Sequence, residues 1–158
     1  MVSNLLERNA SIRPNTSTES TTAAAFNGHE QQVSLLFAIG KWDMNTPDDT
    51  QTYPIIWASR NGHDKTIQLL LERGADVNAQ SLFYGNALQA ACSKGNDKIA
   101  QMLLERGADV NAQGGEYGNA LQAAHQGGYH NIVQILQGQQ CADQSTSYPP
   151  SSKRLKVS

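Results

Sequence analysis

Cysteine is scarce, long apolar runs are missing and neither sign of charge dominates, and each absence removes a class of protein. The two cysteines fall in unlike places, Cys92 in an apolar helical stretch and Cys141 in a polar tail. They are too few and too mismatched for a disulfide framework or a zinc knuckle. No run of about 18 apolar residues occurs, and Met1 to Arg8 carry no long apolar core ahead of a small-residue cleavage site. A membrane span or secretory leader is therefore not expected, and the protein is expected to stay inside the cell, unanchored. Twelve Lys and Arg against fourteen Asp and Glu leave a net charge of −2. That balance supplies no basic field for direct binding of nucleic acid or an anionic membrane. At 158 residues and 39% hydrophobic content the chain has room for one ordinary domain.

What is abundant is repetition. Leu70-Leu71-Glu72-Arg73-Gly74-Ala75-Asp76-Val77-Asn78-Ala79-Gln80 returns unchanged as Leu103 to Gln113, and Tyr84-Gly85-Asn86-Ala87-Leu88-Gln89-Ala90-Ala91 returns as Tyr117 to Ala124, both displaced by 33 residues. A fixed period of this length signals a stack of identical supersecondary units. Within each unit the local chemistry is legible. Asn86 and Asn119 suit N-caps of helices entering Ala-Leu-Gln-Ala-Ala, and Pro54 suits a first helical position, so three inner helices start in register. Gly62, Gly95 and Gly128 then break the chain. Ile67, Leu70 and Leu71, and likewise Ile99, Met102 and Leu103, space an apolar stripe along an outer helix. Gly74 and Gly107 end those helices as left-handed C′ residues.

A 33-residue period closed by Gly-Ala-Asp-Val-Asn-Ala resembles the ankyrin repeat, a β-turn followed by two antiparallel helices. The family's Thr-Pro-Leu-His stands here as Tyr53-Pro54-Ile55-Ile56, Asn86-Ala87-Leu88-Gln89 and Asn119-Ala120-Leu121-Gln122, a departure at the front of each unit. The Gly-Asn-Ala-Leu-Gln-Ala-Ala wording is similar to ankyrin arrays of filamentous fungi. The resemblance implies an all-α ankyrin-repeat solenoid of about four helix-turn-helix units with short β-hairpin loops, at about 20–50, 51–83, 84–116 and 117–140. Gly28-His29-Glu30 through Gly40 matches Gly62-His63-Asp64 through Gly74 at a displacement of 34, which makes the first unit divergent. The last loses its closing motif to Gly138-Gln139-Gln140 and reads as a C-terminal cap. Leu5 to Ile12 mirrors Leu70 to Val77, as though the chain opens in the tail of an earlier repeat. Residues 1–19 and 141–158 are expected to be flexible, being Ser/Thr-rich at 13–20 and Gln-, Ser- and Pro-rich at 139–152.

No catalytic constellation emerges. His29 and His63 occupy equivalent Gly-His positions, which favours a turn role over a metal or a base, and His125 and His130 have no neighbouring cysteine or acid in the sequence. Asp76 and Asp109 sit in separate stacked units about 10 Å apart, too far for acid/base pairing. Gly114-Gly115 precedes no lysine and reads as a hairpin tip. No metal, cofactor or nucleophile-base-orienter set is indicated. Asn78 and Asn111 look like the ankyrin asparagine that a hydroxylase modifies in animals. The competing reading is a turn asparagine bonding its own backbone.

Function is then a matter of surface. In the family, contacts come from hairpin tips and the exposed side of the inner helices. By position these are Asp49, Thr50 and Thr52; Arg60 and Asn61; Leu82, Phe83 and Gly85; Ser93 and Lys94; Glu116; and Gln126. Ser81-Leu82-Phe83 puts adjacent apolar side chains where the next unit has Gly114-Gly115-Glu116, the composition of an interface anchor, unless Phe83 folds back on a helix. The resemblance implies a monomeric, non-catalytic scaffold or adaptor binding another protein, resident in the cytoplasm. Two alternatives stay open. Lys153-Arg154-Leu155-Lys156 is a plausible import signal for a nuclear regulatory cofactor, against the reading of a solvated tail, and the part-repeat at Leu5 to Ile12 fits a fragment of a larger array.

Overall fold

The computed structural model describes residues 17–40 and 44–147. Eight helices follow one another in pairs among these residues: α1 (Ser17–Asn27), α2 (Glu30–Ile39), α3 (Pro54–Asn61), α4 (Asp64–Glu72), α5 (Ala87–Ser93), α6 (Asp97–Glu105), α7 (Ala120–Gly127) and α8 (His130–Ser147). No extended strand forms among them; each of two hairpin tips is closed by a single antiparallel bridge, Ser81 with Gly85 and Gly114 with Gly118.

Local signals set the ends of these elements. Tyr53 caps α3 in extended conformation with Pro54 at the first turn. Asn86 caps α5 through a reciprocal box, its side chain accepting from the Gln89 N–H while the Gln89 side chain accepts from the Asn86 N–H, both at 2.8 Å. Asn119 accepts from the Gln122 N–H at 2.8 Å at the start of α7. At the other end, Gly74 has φ 95°. Its N–H reaches the Leu71 carbonyl at 3.2 Å and the Ala75 N–H reaches Leu70 at 2.9 Å, the paired bonds of a Schellman stop. Gly107 and Ala108 repeat it on Leu104 and Leu103.

Packing follows the period. The inner helices α1, α3, α5 and α7 stack on one another in order, and the outer helices α2, α4, α6 and α8 stack beside them. Every residue of α5 from Ala87 to Cys92 is buried, because a layer presses on it from each side. The outer helices bury one stripe each: Thr66, Ile67 and Leu70 in α4, then Ile99, Ala100 and Leu103 in α6. Leu71 and Met102, expected on those stripes, are only partly buried at their margins.

Hydrogen bonds tie neighbouring units. Asn78 does not bond its own turn as expected. Its side-chain oxygen accepts from the Asp109 N–H at 2.7 Å and its amide donates to the Gly107 carbonyl at 3.1 Å, both in the following repeat. Asn45 does the same toward Asp76 and Gly74. The own-turn role belongs to the aspartates, Asp76 accepting from the Asn78 N–H and Asp109 from the Asn111 N–H, each at 2.9 Å. Asn111, in the last tip among the described residues, differs: its side-chain oxygen accepts from Gln140 at 3.1 Å.

The outer boundaries differ from expectation. Helix α8 runs to Ser147, past the boundary at 140, because the position equivalent to Gly107 is Gln140 and no left-handed residue stops the helix. Helix α1 begins at Ser17 and takes in part of the Ser/Thr-rich segment. The remainder of 1–19 and of 141–158, and Lys41 to Asp43, lie outside the described residues.

Candidate partner-binding surface

Hairpin tips and the exposed side of the inner helices face the same side of the stack, and rings from four positions meet there. Phe26, at the end of α1, lies edge-on to Trp57 with centroids 5.1 Å apart. Trp57 meets Tyr84 at 5.2 Å, and Tyr84 meets Phe83 at 4.9 Å, each again edge to face. The Arg60 guanidinium sits over the Tyr84 ring, 5.1 Å from its centre. Phe26 is 42% exposed, Phe83 55% and Leu82 84%. Phe83 thus rests against Tyr84 of its own tip, not on a helix, and still offers half its surface.

The row is held by polar contacts beneath it. The Phe26 carbonyl accepts from Asn61 at 2.8 Å and from His63 Nε2 at 2.9 Å, which fixes the end of α1 against the second repeat. Asn96, at the repeat position of His63, reaches the Ser59 carbonyl at 2.8 Å in the same manner. Trp57 donates its indole N–H to Asp48 at 2.8 Å. Asp48 also accepts from the Thr50 N–H and hydroxyl and from the Thr52 N–H, drawing the 48–52 loop around one carboxylate. Partial burial works against that charge, but the donors from Thr50, Trp57 and the loop backbone outweigh it and hold the carboxyl below its ordinary value. The Glu116 carboxylate, with some help from burial, pushes the Tyr117 hydroxyl upward. The Glu116 N–H donates to the Phe83 carbonyl at 2.8 Å and so couples the two tips.

Of the residues expected at the surface, Leu82, Phe83, Asp49, Thr50, Lys94, Glu116 and Gln126 are exposed, while Arg60, Asn61 and Ser93 are half-buried. Two are corrected. Thr52 is fully buried, its hydroxyl 3.1 Å from that of Ser81, because it joins successive loops. Gly85 is buried with φ 70° and closes its tip by donating to the Ser81 carbonyl at 3.2 Å. Asn61 is committed to Phe26, and the Ser93 hydroxyl donates to Ala90 at 2.8 Å. Gln126 is exposed in α7, apart from the row. Lys153, Arg154 and Lys156 lie outside the described residues.

The sequence reading missed Phe26, Trp57, Tyr84 and Tyr117. One signal was available: Phe26 stands 34 residues before Arg60, the displacement that aligns the first unit with the second, and so takes the register position of Arg60, Ser93 and Gln126. The tyrosines recur unchanged from one unit to the next, which leaves no difference between tips to mark them.

Other chemistry is sparse. Among the described residues no group of three His, Cys, Asp or Glu is placed to hold a metal ion. Burial pushes the Cys92 thiol up to about 12, which keeps it protonated and unreactive at neutral pH. No helix among the described residues is long and apolar enough to cross a membrane.

Stacked helix pairs, projecting tips and an exposed ring-bearing face define a helical repeat solenoid of the kind that presents a surface to another macromolecule. A family model for ankyrin repeats in three copies matches residues 1–81, 21–114 and 81–147, and the chain belongs to the ankyrin-repeat family. The first match takes in Leu5 to Ile12. Comparison with curated proteins finds no match. Ankyrin repeats generally mediate protein–protein interaction and are typically non-catalytic.

Proposed function

We propose that this chain is a monomeric scaffold or adaptor that holds one partner protein across its inner-helix face, anchored on Phe26, Trp57, Tyr84 and Phe83 with Leu82 at the rim. The observation that carries the reading is the continuous ring row, 5.1, 5.2 and 4.9 Å between successive centroids, with Phe26 and Phe83 exposed at its ends. Rings with partial exposure in contact with one another form the apolar, low-entropy anchor on which small interfaces concentrate their energy. The same reading makes the chain non-catalytic and places it in the cytoplasm, with Lys153, Arg154 and Lys156 as the segment to test for nuclear accumulation. The Gly-Asn-Ala-Leu-Gln-Ala-Ala wording supports a fungal source.

The test is affinity capture on the intact chain followed by mass spectrometry, repeated with Phe26→Ala and Phe83→Ala together. Loss of anchors at about 2 kcal/mol each weakens capture by roughly thirtyfold per residue at about 1.4 kcal/mol per factor of ten, with the melting transition nearly unchanged. A partner retained in full by the double variant, and lost only when residues 148–158 are cut, would make the repeats a spacer.

A further inference from the structure

Among the described residues, Arg60 is the one cation seated over a ring of the row. Its guanidinium lies over the Tyr84 ring, 5.1 Å from the centre. The ion pair found among the described residues is Lys98 with Asp64 at 2.7 Å, joining the outer helices, so neither Arg60 nor the exposed Lys94 has a carboxylate partner there. Of the acids nearby, Asp48 is engaged by the Trp57 indole and by Thr50 and Thr52, and Asp49 and Glu116 are exposed without a salt bridge among the described residues. A guanidinium resting on an aromatic face uses its π surface in that contact. Its five in-plane N–H donors stay available, in the fork geometry that matches a carboxylate. Apolar anchors lie along the row on either side, Phe26 beyond Trp57 and Phe83 beyond Tyr84.

Resting on the interaction reading above, we infer that the partner docks as a peptide segment in which an Asp or Glu lies within a few residues of a large apolar side chain. The acid forks onto Arg60, Lys94 adds a second positive charge, and the apolar side chain packs on Phe26 or Phe83. Single-stranded nucleic acid also stacks on aromatic rings, but it needs a groove of cations tracking successive phosphates. Among the described residues this face offers Arg60 and, by register, the exposed Lys94, on a chain of net charge −2.

The experiment is selection from a phage-displayed random dodecapeptide library on the intact chain, followed by fluorescence anisotropy of the enriched peptides made synthetically. The enriched sequences are expected to place Asp or Glu near an aromatic or large aliphatic residue. Arg60→Gln should weaken them by about tenfold to a hundredfold, as expected for a lost hydrogen-bonded charge contact. Arg60→Lys should restore only part of this, since an ammonium has no fork. Changing the peptide's acid to its amide should cost the same in the native chain and nothing further in Arg60→Gln, a coupling that is independent of any change in folding. Peptides that lack acids, ignore Arg60→Gln and yet are lost with Phe26→Ala and Phe83→Ala would overturn the acidic partner and leave the interaction surface standing. Peptides indifferent to all these variants, or no enrichment, would remove both. Arg60-dependent binding of fluorescein-labelled oligouridine at peptide-like concentrations would overturn the inference in favour of nucleic acid.

Discussion

Gln89 and Gln122 stand in the same eight-residue sequence, yet replacing them by leucine should have opposite consequences. Gln89 is 1% exposed. Its carbonyl oxygen accepts from the Asn86 N–H at 2.8 Å, and its amide donates to the carbonyls of Ala112, Gly114 and Gly118 at 3.1, 3.3 and 3.1 Å. One side chain therefore completes the cap of α5 and braces the next repeat's hairpin. Leucine orphans the Asn86 N–H and withdraws the donors from those carbonyls, and each buried deficit costs about 1–3 kcal/mol. Apolar burial of the leucine offsets part, so Gln89→Leu should cost about 2–4 kcal/mol. For a domain of this size that lowers the melting point by roughly 5–15 °C. Gln122 is exposed, and among the described residues no hairpin follows for it to brace. Gln122→Leu should change stability by less than about 0.5 kcal/mol. Far-ultraviolet circular dichroism melts and urea midpoints of the two variants decide it. Equal shifts, in either direction, would refute the argument that position in the stack sets the role of the glutamine.

Three further outcomes follow from the packing and the charges. Leu103→Ala, at a site with no exposure, should cost about 2–5 kcal/mol, and Arg106→Ala, exposed past the end of α6, under about 0.5 kcal/mol, read by the same melts. A thiol reagent at neutral pH should modify Cys141 rapidly and Cys92 only after denaturation; rapid reaction of both would contradict a buried thiol whose pKa is pushed up to about 12. Folding holds Asp48 below its ordinary value of 3.8, so its contribution to stability is complete above that value and is lost as pH falls beneath it. In a Trp42→Phe background, Trp57 fluorescence should therefore report opening of the 48–52 loop below about pH 4. Asp48→Asn should remove that acid transition, and an unchanged transition in the variant would exclude Asp48 as its origin.

Much of the repeat was readable one residue at a time because its signals act within a turn of helix. The Asn86 cap, Pro54 at a first turn and the Gly74 and Gly107 stops each need only their immediate neighbours, and each stands where the sequence predicts. The surface was harder. The exposure of Leu82 and Phe83 was legible because their tip differs from the next one. Thr52 and Gly85 were misread as contacts, because a polar or small residue in a loop says nothing about whether the neighbouring loop covers it. Asn78 was misassigned for a related reason: its partners, Gly107 and Asp109, are one full period away.

The sequence by itself determined the period, the helix pairs, the caps and the glycine stops, since these depend on backbone preferences and contacts a few residues apart. Only the tertiary structure decided what identical segments do. Stacking turns Gln89 into a buried brace and leaves its copy Gln122 in solvent, and the absence of a left-handed stop at Gln140 lets α8 run on, with Gln140 donating to Asn111. The ring row is tertiary beyond its local Phe83–Tyr84 contact. Phe26, Trp57 and Tyr84 come from three successive repeats, and their edge-to-face contacts exist because the stack brings residues some thirty positions apart to one spacing on one side.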